Sequence, residues 1–186
     1  MAGHFVITTK ALEILNLTDG DRVGVAGRSL QDFISAAVEE HKDLSIHGFP
    51  VFENIVEEGK ENPFGAGVYL HEEDFFTVDL EVKFNKIFLD CPCELTAEEL
   101  DSHGQRYVNK MEFNQLPVKP KTSAEWVMIS YAADHLPEGG KAVVVVDEEK
   151  YRNDGDEDLR TYFEESGIIE EVVNLSGEIL LVVLKG

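Results

Sequence analysis

The chain has few basic residues, with 16 Lys and Arg against 37 Asp and Glu and a net charge of −21 at pH 7. Nucleic-acid affinity depends largely on Lys and Arg, which release counterions from the phosphates. So acidic a chain repels a phosphate backbone, which argues against unaided nucleic-acid binding. The acidity suits either a solubilising surface, as in a salt-adapted host, or a face that binds a basic partner protein.

Cysteine is also scarce, because the chain has only Cys91 and Cys93, separated by one proline. Two cysteines this close are badly placed to bridge each other, which excludes a disulfide framework. A zinc site would need two further ligands, and His103 is the nearest candidate. The six histidines show no ligand spacing, and we interpret them as surface or hydrogen-bonded residues. We therefore expect no metal, and expect both cysteines to be small buried side chains.

Long apolar runs are missing too: none approaches the roughly 20 residues that cross a bilayer. The first ten residues, MAGHFVITTK, lack the apolar segment of a signal peptide. We therefore expect a cytoplasmic protein that does not enter the membrane. The 43% hydrophobic content and eleven Phe predict a packed core. A length of 186 residues predicts one domain, over 1–186.

Apolar bursts at strand spacing alternate with stretches at helical spacing. Strands are predicted over 23–26, 44–49, 68–71, 86–89, 141–146, 168–173 and 179–184, and helices over 9–17, 30–41, 53–61, 123–135 and 156–166. Residues 95–122 are predicted to form a long loop, and the acidic run 154–158 a solvated helix start. Because parallel neighbours need crossover helices, the order predicts an α/β fold with a doubly wound, mostly parallel sheet. The last two strands predict an antiparallel hairpin with a turn over 174–177.

In doubly wound folds, ligands bind at the carboxyl ends of the strands, near the point where strand order reverses. The segments around the turns after residues 26, 49, 71 and 89 read VGVAGRSLQDF (23–33), GFP (48–50), HEEDFF (71–76) and DCPC (90–93). GHFVITTKALEIL (3–15) precedes them, and SAEWVMISYAADHLPEGGKAVVVV (123–146) follows. In order and spacing these segments resemble the Rossmann-like fold of class I S-adenosylmethionine-dependent methyltransferases. They are most similar to adenine-N6 DNA methylases of the type I restriction-modification kind. The resemblance spans 3–185 and implies a seven-stranded sheet with S-adenosylmethionine as cofactor.

The resemblance implies which residues would contact that cofactor. Thr8 falls on the threonine of a Phe/Tyr-Thr-Pro segment that precedes the first helix and contacts the cofactor's methionine end. Gly27 is the only one of three motif glycines present, with Ser29 and Gln31 at the other two positions. Glycines there let the backbone pass close to the cofactor, so Arg28, Leu30 and Gln31 are expected to project into that space. Asp74 matches an acid that contacts the adenine ring of the cofactor, whereas Gly48-Phe49-Pro50 lacks the acid that binds the ribose.

Asp90-Cys91-Pro92-Cys93 resembles the catalytic (N/D)-P-P-(F/Y) tetrapeptide of these methylases. Asp90 and Pro92 match, while Cys91 replaces a proline and Cys93 replaces the aromatic ring that stacks on a flipped base. In an active enzyme, Asp90 would accept a hydrogen bond from the amine that attacks the methyl group, and positioning would supply most of the rate.

Three hypotheses follow from these substitutions. The glycine turn, the ribose acid and the catalytic tetrapeptide have all changed together, which favours a catalytically silent methyltransferase-fold protein that binds or regulates a protein partner. The first alternative is an active adenine-N6-type methyltransferase with a divergent pocket, in which Asp74 and Asp90 are retained. Acids at strand ends are, however, also common as caps and turn formers. The second alternative is an acidic decoy that occupies a nucleic-acid-binding protein.

Overall fold

A computed structural model describes residues 3–49, 62–72, 75, 78, 81–90 and 122–186. Its helices are α1 (His4–Leu15), α2 (Leu30–Glu40), α3 (Ala124–His135), α4 (Glu148–Tyr151) and α5 (Glu157–Glu165). Its strands are β1 (Arg22–Gly27), β2 (Ser45–Phe49), β3 (Val68–Leu70), β4 (Lys86–Asp90), β5 (Lys141–Asp147), β6 (Ile169–Ser176) and β7 (Ile179–Lys185). The predicted helix over 53–61, and all but the last residue of the predicted loop over 95–122, lie outside the described residues.

All seven strands form one sheet in the order β3-β2-β1-β4-β5-β7-β6. The pairs from β3 to β5 are parallel, whereas β7 runs antiparallel to both β5 and β6. This arrangement confirms the predicted doubly wound, mostly parallel sheet with its C-terminal hairpin. The chain builds outward from β1 to β3 and then returns to place β4 on the other side of β1. The strand order therefore reverses between β1 and β4, where such folds bind ligands.

Side chains of the central strands alternate between two cores, as the pleat requires. On β5, Val143 and Val145 face the core covered by α1 and α2. Ala142, Val144 and Val146 face the opposite core, which α3, α4 and α5 cover. Burial on both faces explains why β5 reads as a continuous apolar run rather than an alternating one.

The first helix corrects the sequence-based prediction, because α1 begins at His4 rather than at residue 9. Ile7, Ala11 and Leu15 lie four residues apart and are all buried, so the buried stripe starts one turn earlier than predicted. The helix ends at Asn16, which has a φ of 48° and donates its backbone N–H to the carbonyl of Leu12.

The C-terminal hairpin is tighter than predicted. β6 continues to Ser176, so residues 174–176 belong to the strand rather than to the turn. Gly177, with a φ of 52°, and Glu178 alone connect β6 to β7. The structure also contains the short helix α4, which was not predicted and whose first turn is capped by the carboxylate of Asp147.

No helix in the described part of the chain combines the length and the apolar character needed to cross a bilayer.

Candidate functional site

The crevice where strand order reverses is bounded by the last residues of β1 and β4. Gly27 and Asp90 are register partners in this parallel pair. Gly27 has a φ of 108°, a backbone conformation that residues other than glycine rarely adopt. The turn itself therefore requires this glycine. Asp90 is the last residue of β4 and is 7% exposed. The structure thus brings together two of the residues that the resemblance implies.

Ser29 lies beside them, at the N-cap of α2, and is fully buried. Its hydroxyl Oγ donates a hydrogen bond to Oδ2 of Asp90. The same side chain makes no capping hydrogen bond to α2, although serine is a preferred N-cap residue. The Ser29 hydroxyl therefore binds the carboxylate of the neighbouring strand instead of the helix end.

The expectation that Leu30 projects into the cofactor space is wrong. Its side chain is 1% exposed and packs in the core on the α2 side of the sheet. A Cβ at Gly48 would lie 3.5 Å from Leu30 Cδ1, so Leu30 points toward the middle of β2. Arg28 and Gln31 are exposed.

The structure places Thr8 within α1, not in a segment that precedes the helix. The residue is 3% exposed, and its Oγ1 is buried with no hydrogen-bond partner among the described residues. Asp74, Pro92 and Cys93, the other predicted site residues, lie outside the described residues. Their predicted roles therefore stay predictions.

Aromatic and imidazole rings fill the end of β2. Phe49 is 2% exposed, and its ring stacks on that of His71 with centroids 4.6 Å apart and an interplanar angle of 9°. Phe75 packs edge-on against Phe49, with a centroid distance of 5.3 Å. The residue before Pro50 is thus a core aromatic.

Sequence reasoning missed a pair of histidines next to this cluster. His47 Nδ1 lies 2.9 Å from Nε2 of His71, and His47 Nε2 lies 3.2 Å from Oγ of Ser45. Burial, followed by the nearby Arg22 and His71, lowers the pKa of His47 to about 4. A signal was present in the sequence, since His47 and His71 lie in consecutive predicted strands. It was overlooked because their ring contact depends on the register of β2 and β3.

The described residues fit S-adenosylmethionine only in part. Gly27 has no Cβ, so the backbone of this turn can pass close to a cofactor. At the next motif position, however, Ser29 adds a side chain and binds Asp90, the residue that the substrate amine would use. For metals, no group of three or more His, Cys, Asp or Glu side chains is assembled within the described ranges.

Comparisons with known proteins agree with this architecture. A family profile described as N-6 DNA Methylase matches residues 73–183, more than half of the chain. The type I restriction-modification system methyltransferase subunit from Streptococcus thermophilus is a similar solved structure, with a TM-score of 0.68 and 15% identity. The match covers 98% of this chain and 43% of that subunit, so this chain spans less than half of that protein's length.

Two further similar structures have lengths closer to this chain. An RNA methyltransferase from Salinibacter ruber, in complex with S-adenosyl-L-homocysteine, has a TM-score of 0.54 and 12% identity over 96% of this chain and 89% of its own. The N-methyltransferase NodS from Bradyrhizobium japonicum has a TM-score of 0.55 and 14% identity, and the match covers 97% of this chain and 94% of NodS. A search of curated protein sequences finds no match. At these identities the solved structures show the fold, and the sequence profile shows the family.

Proposed function

Because the chain belongs to the N-6 DNA methylase family, we propose that it keeps the methyltransferase fold without methyl transfer and acts as a binding or regulatory subunit. A fold persists when its core residues persist, whereas an activity depends on a few site residues that can change independently of the core. Among the described residues, seven strands form one sheet with an apolar core on each face, and the changed position Ser29 lies beside the ends of β1 and β4.

One observation supports this proposal above the others: the hydrogen bond from the Ser29 hydroxyl to the Asp90 carboxylate. In the adenine-N6 mechanism this acid must accept a hydrogen bond from the substrate amine. A hydrogen bond to a charged acceptor stabilises by about 1.5–3 kcal/mol, and a substrate would have to displace it. The side chain that holds Asp90 stands at a motif position where methylases of this kind have glycine.

The active methyltransferase stays the first alternative, and a specific relationship favours it. Gly27 and Asp90 are register partners at the carboxyl ends of β1 and β4, and Gly27 has no Cβ that would obstruct a cofactor. In this alternative Ser29 would release Asp90 when substrate enters, and positioning of the amine would supply most of the rate.

Isothermal titration with S-adenosylmethionine and S-adenosylhomocysteine separates these two functions. The silent-subunit proposal expects no heat of binding at millimolar ligand. Micromolar binding of either compound would contradict it and support the active enzyme. Thermal unfolding in the same ligands gives an independent measurement, because a ligand that binds only the folded state raises the unfolding temperature.

For the partner we propose a basic protein, on the evidence of the net charge of −21. If this partner is itself a nucleic-acid-binding protein whose basic surface is covered, the chain acts as the decoy of the second alternative. Capture of a basic methylase or nuclease should weaken steeply as salt rises from 50 to 500 mM, since charge attraction is screened. Capture of neither protein at low salt would remove the decoy hypothesis.

A further inference from the structure

The histidine pair lies on one face of the sheet, close to its β3 edge. Ser45 and His47 are two residues apart on β2, and Tyr69 and His71 are two residues apart along β3 and its end. His47 pairs with Tyr69 in the register, so His71 lies diagonally across from His47. The two imidazole rings are parallel within 12°, with centroids 5.1 Å apart. Their facing nitrogens are separated by 2.9 Å.

We propose that His47 and His71 form a two-histidine site for a divalent transition metal of the zinc class. Imidazole nitrogen is a preferred ligand of Zn²⁺, at a distance of about 2.0–2.1 Å. Two such nitrogens in a tetrahedral site lie about 3.3 Å apart. To accept the ion, Nδ1 of His47 and Nε2 of His71 need to separate by about 0.4 Å, and the rings must turn so that both nitrogens point at the metal rather than at each other. This inference does not depend on the proposed function, because the pair lies away from Ser29 and Asp90.

Contacts around the pair restrain both rings. Ser45 Oγ lies 3.2 Å from Nε2 of His47, which leaves Nδ1 of the same ring for the metal. Metal-binding histidines usually hydrogen-bond a second group through the other ring nitrogen in this way. The ring of Tyr69 stacks on His47 at 5.1 Å, and that of Phe49 stacks on His71 at 4.6 Å.

Access and charge determine how tightly the ion binds. Tyr69 is 53% exposed, so solvent reaches this face and water can complete the coordination. The strongly acidic chain attracts cations, but the Arg22 guanidinium lies close enough to His47 to oppose them. We therefore expect removal of the Arg22 charge to strengthen metal binding.

Calorimetric titration of Zn²⁺ into the whole chain tests the site. We expect one ion per chain, with affinity reduced at least about tenfold in His47→Asn and in His71→Asn, since each removes one of two ligands. Ser45→Ala should cause a smaller loss, and Arg22→Gln a gain. His41→Asn is the matched control, because His41 faces Asp19 rather than another histidine. Equal affinity in the wild type and in both histidine variants would overturn the proposal.

Cys91 and Cys93 are also potential zinc ligands, so the titration is repeated in Cys91→Ser/Cys93→Ser. Loss of binding there, with retention in the histidine variants, assigns the ion to the cysteines and overturns the proposal. Should a histidine variant fail to fold, the wild type with Cu²⁺ still decides the matter by electron paramagnetic resonance. Hyperfine coupling to two imidazole nitrogens supports the site, and coupling to one or none refutes it.

Discussion

The backbone N–H of Arg28 donates a hydrogen bond to the carbonyl oxygen of Asp90, at 2.8 Å. This bond continues the hydrogen bonding between β1 and β4 one residue beyond the pair formed by Gly27 and Asp90. The backbone there is held independently of any side chain. Substitution of Ser29 is therefore expected to change what the crevice binds while leaving its backbone in place.

Ser29→Gly tests whether the Ser29 side chain prevents cofactor binding in the crevice between β1 and β4. The variant frees the Asp90 carboxylate and places a glycine at the second motif position, so S-adenosylhomocysteine should give a heat of binding that the wild type lacks, with an affinity at least about tenfold tighter than the detection limit for the wild type. Ser29→Ala frees the carboxylate but keeps a Cβ, and should gain less. Calorimetry measures both. An unchanged affinity in Ser29→Gly would show that other substitutions are sufficient to exclude the cofactor.

The same hydroxyl should contribute to stability. Ser29→Ala leaves the nearly buried Asp90 carboxylate without this donor, and we expect a loss of about 1–3 kcal/mol in the free energy of unfolding. Urea denaturation measures this loss. Ser166→Ala is a useful control, since Ser166 is exposed and its hydroxyl donates to the carbonyl oxygen of Phe163 at the end of α5.

The lowered pKa of His47 predicts a pH-dependent stability. The unfolded chain protonates this ring near pH 6.5, whereas the folded chain resists protonation until about pH 4. Its contribution is therefore complete above pH 6.5 and is lost as pH falls from 6.5 to 4. The loss should be about 1 kcal/mol, after discounting for the ring's partial exposure to solvent.

Urea denaturation in EDTA at several pH values checks this prediction. Carboxylates titrate over part of the same range, so the quantity to compare is the difference between the wild type and His47→Asn. That difference in the free energy of unfolding should change between pH 6.5 and pH 4 and stay constant above pH 6.5. A flat difference would contradict the prediction.

Asp156 shows that the acidic run over 154–158 is not simply a solvated helix start. Its side chain is 2% exposed, and Oδ2 accepts hydrogen bonds from the backbone N–H of Ser123, at 3.0 Å, and from Nδ2 of Asn153, at 3.3 Å. Asp156→Ala should destabilise the fold by about 1–3 kcal/mol, because it leaves the donor at the start of α3 unpaired. Asp154→Ala, at an exposed position in the same run, should stay within about 0.5 kcal/mol. Equal losses in a denaturation series would refute this distinction.

Gly65 and Gly67 offer a matched pair at the entry to β3, with φ values of 85° and 86°. A Cβ at Gly67 would lie 2.6 Å from the carbonyl oxygen of Leu44, whereas a Cβ at Gly65 meets nothing within 4 Å. Gly65→Ala should therefore cost only the left-handed backbone conformation, about 1–2 kcal/mol. Gly67→Ala should cost about 1–3 kcal/mol more, since the backbone at Leu44, just before β2, must move. Thermal unfolding of both variants tests the difference.

The class of fold could be inferred from local patterns in the sequence alone. Continuous apolar runs such as Lys141–Asp147 indicate strands that are buried on both faces. Because these runs alternate with stretches of helical periodicity, only a few sheet topologies are compatible with the sequence. Because the strands are parallel, the sequence also predicted that Gly27 and Asp90, at the ends of two of them, lie at the same end of the sheet. Local patterns sufficed because they reflect burial and connection length, which act over a few residues.

The contacts that those residues make could be seen only in the folded chain. The contact from Ser29 to Asp90 joins positions 61 residues apart, and that from His47 to His71 joins positions 24 apart. Each depends on strand register and side-chain direction, which no local pattern encodes. Leu30 illustrates the same limit: its place in the motif suggested the cofactor space, but the rotation of α2 turned it into the core.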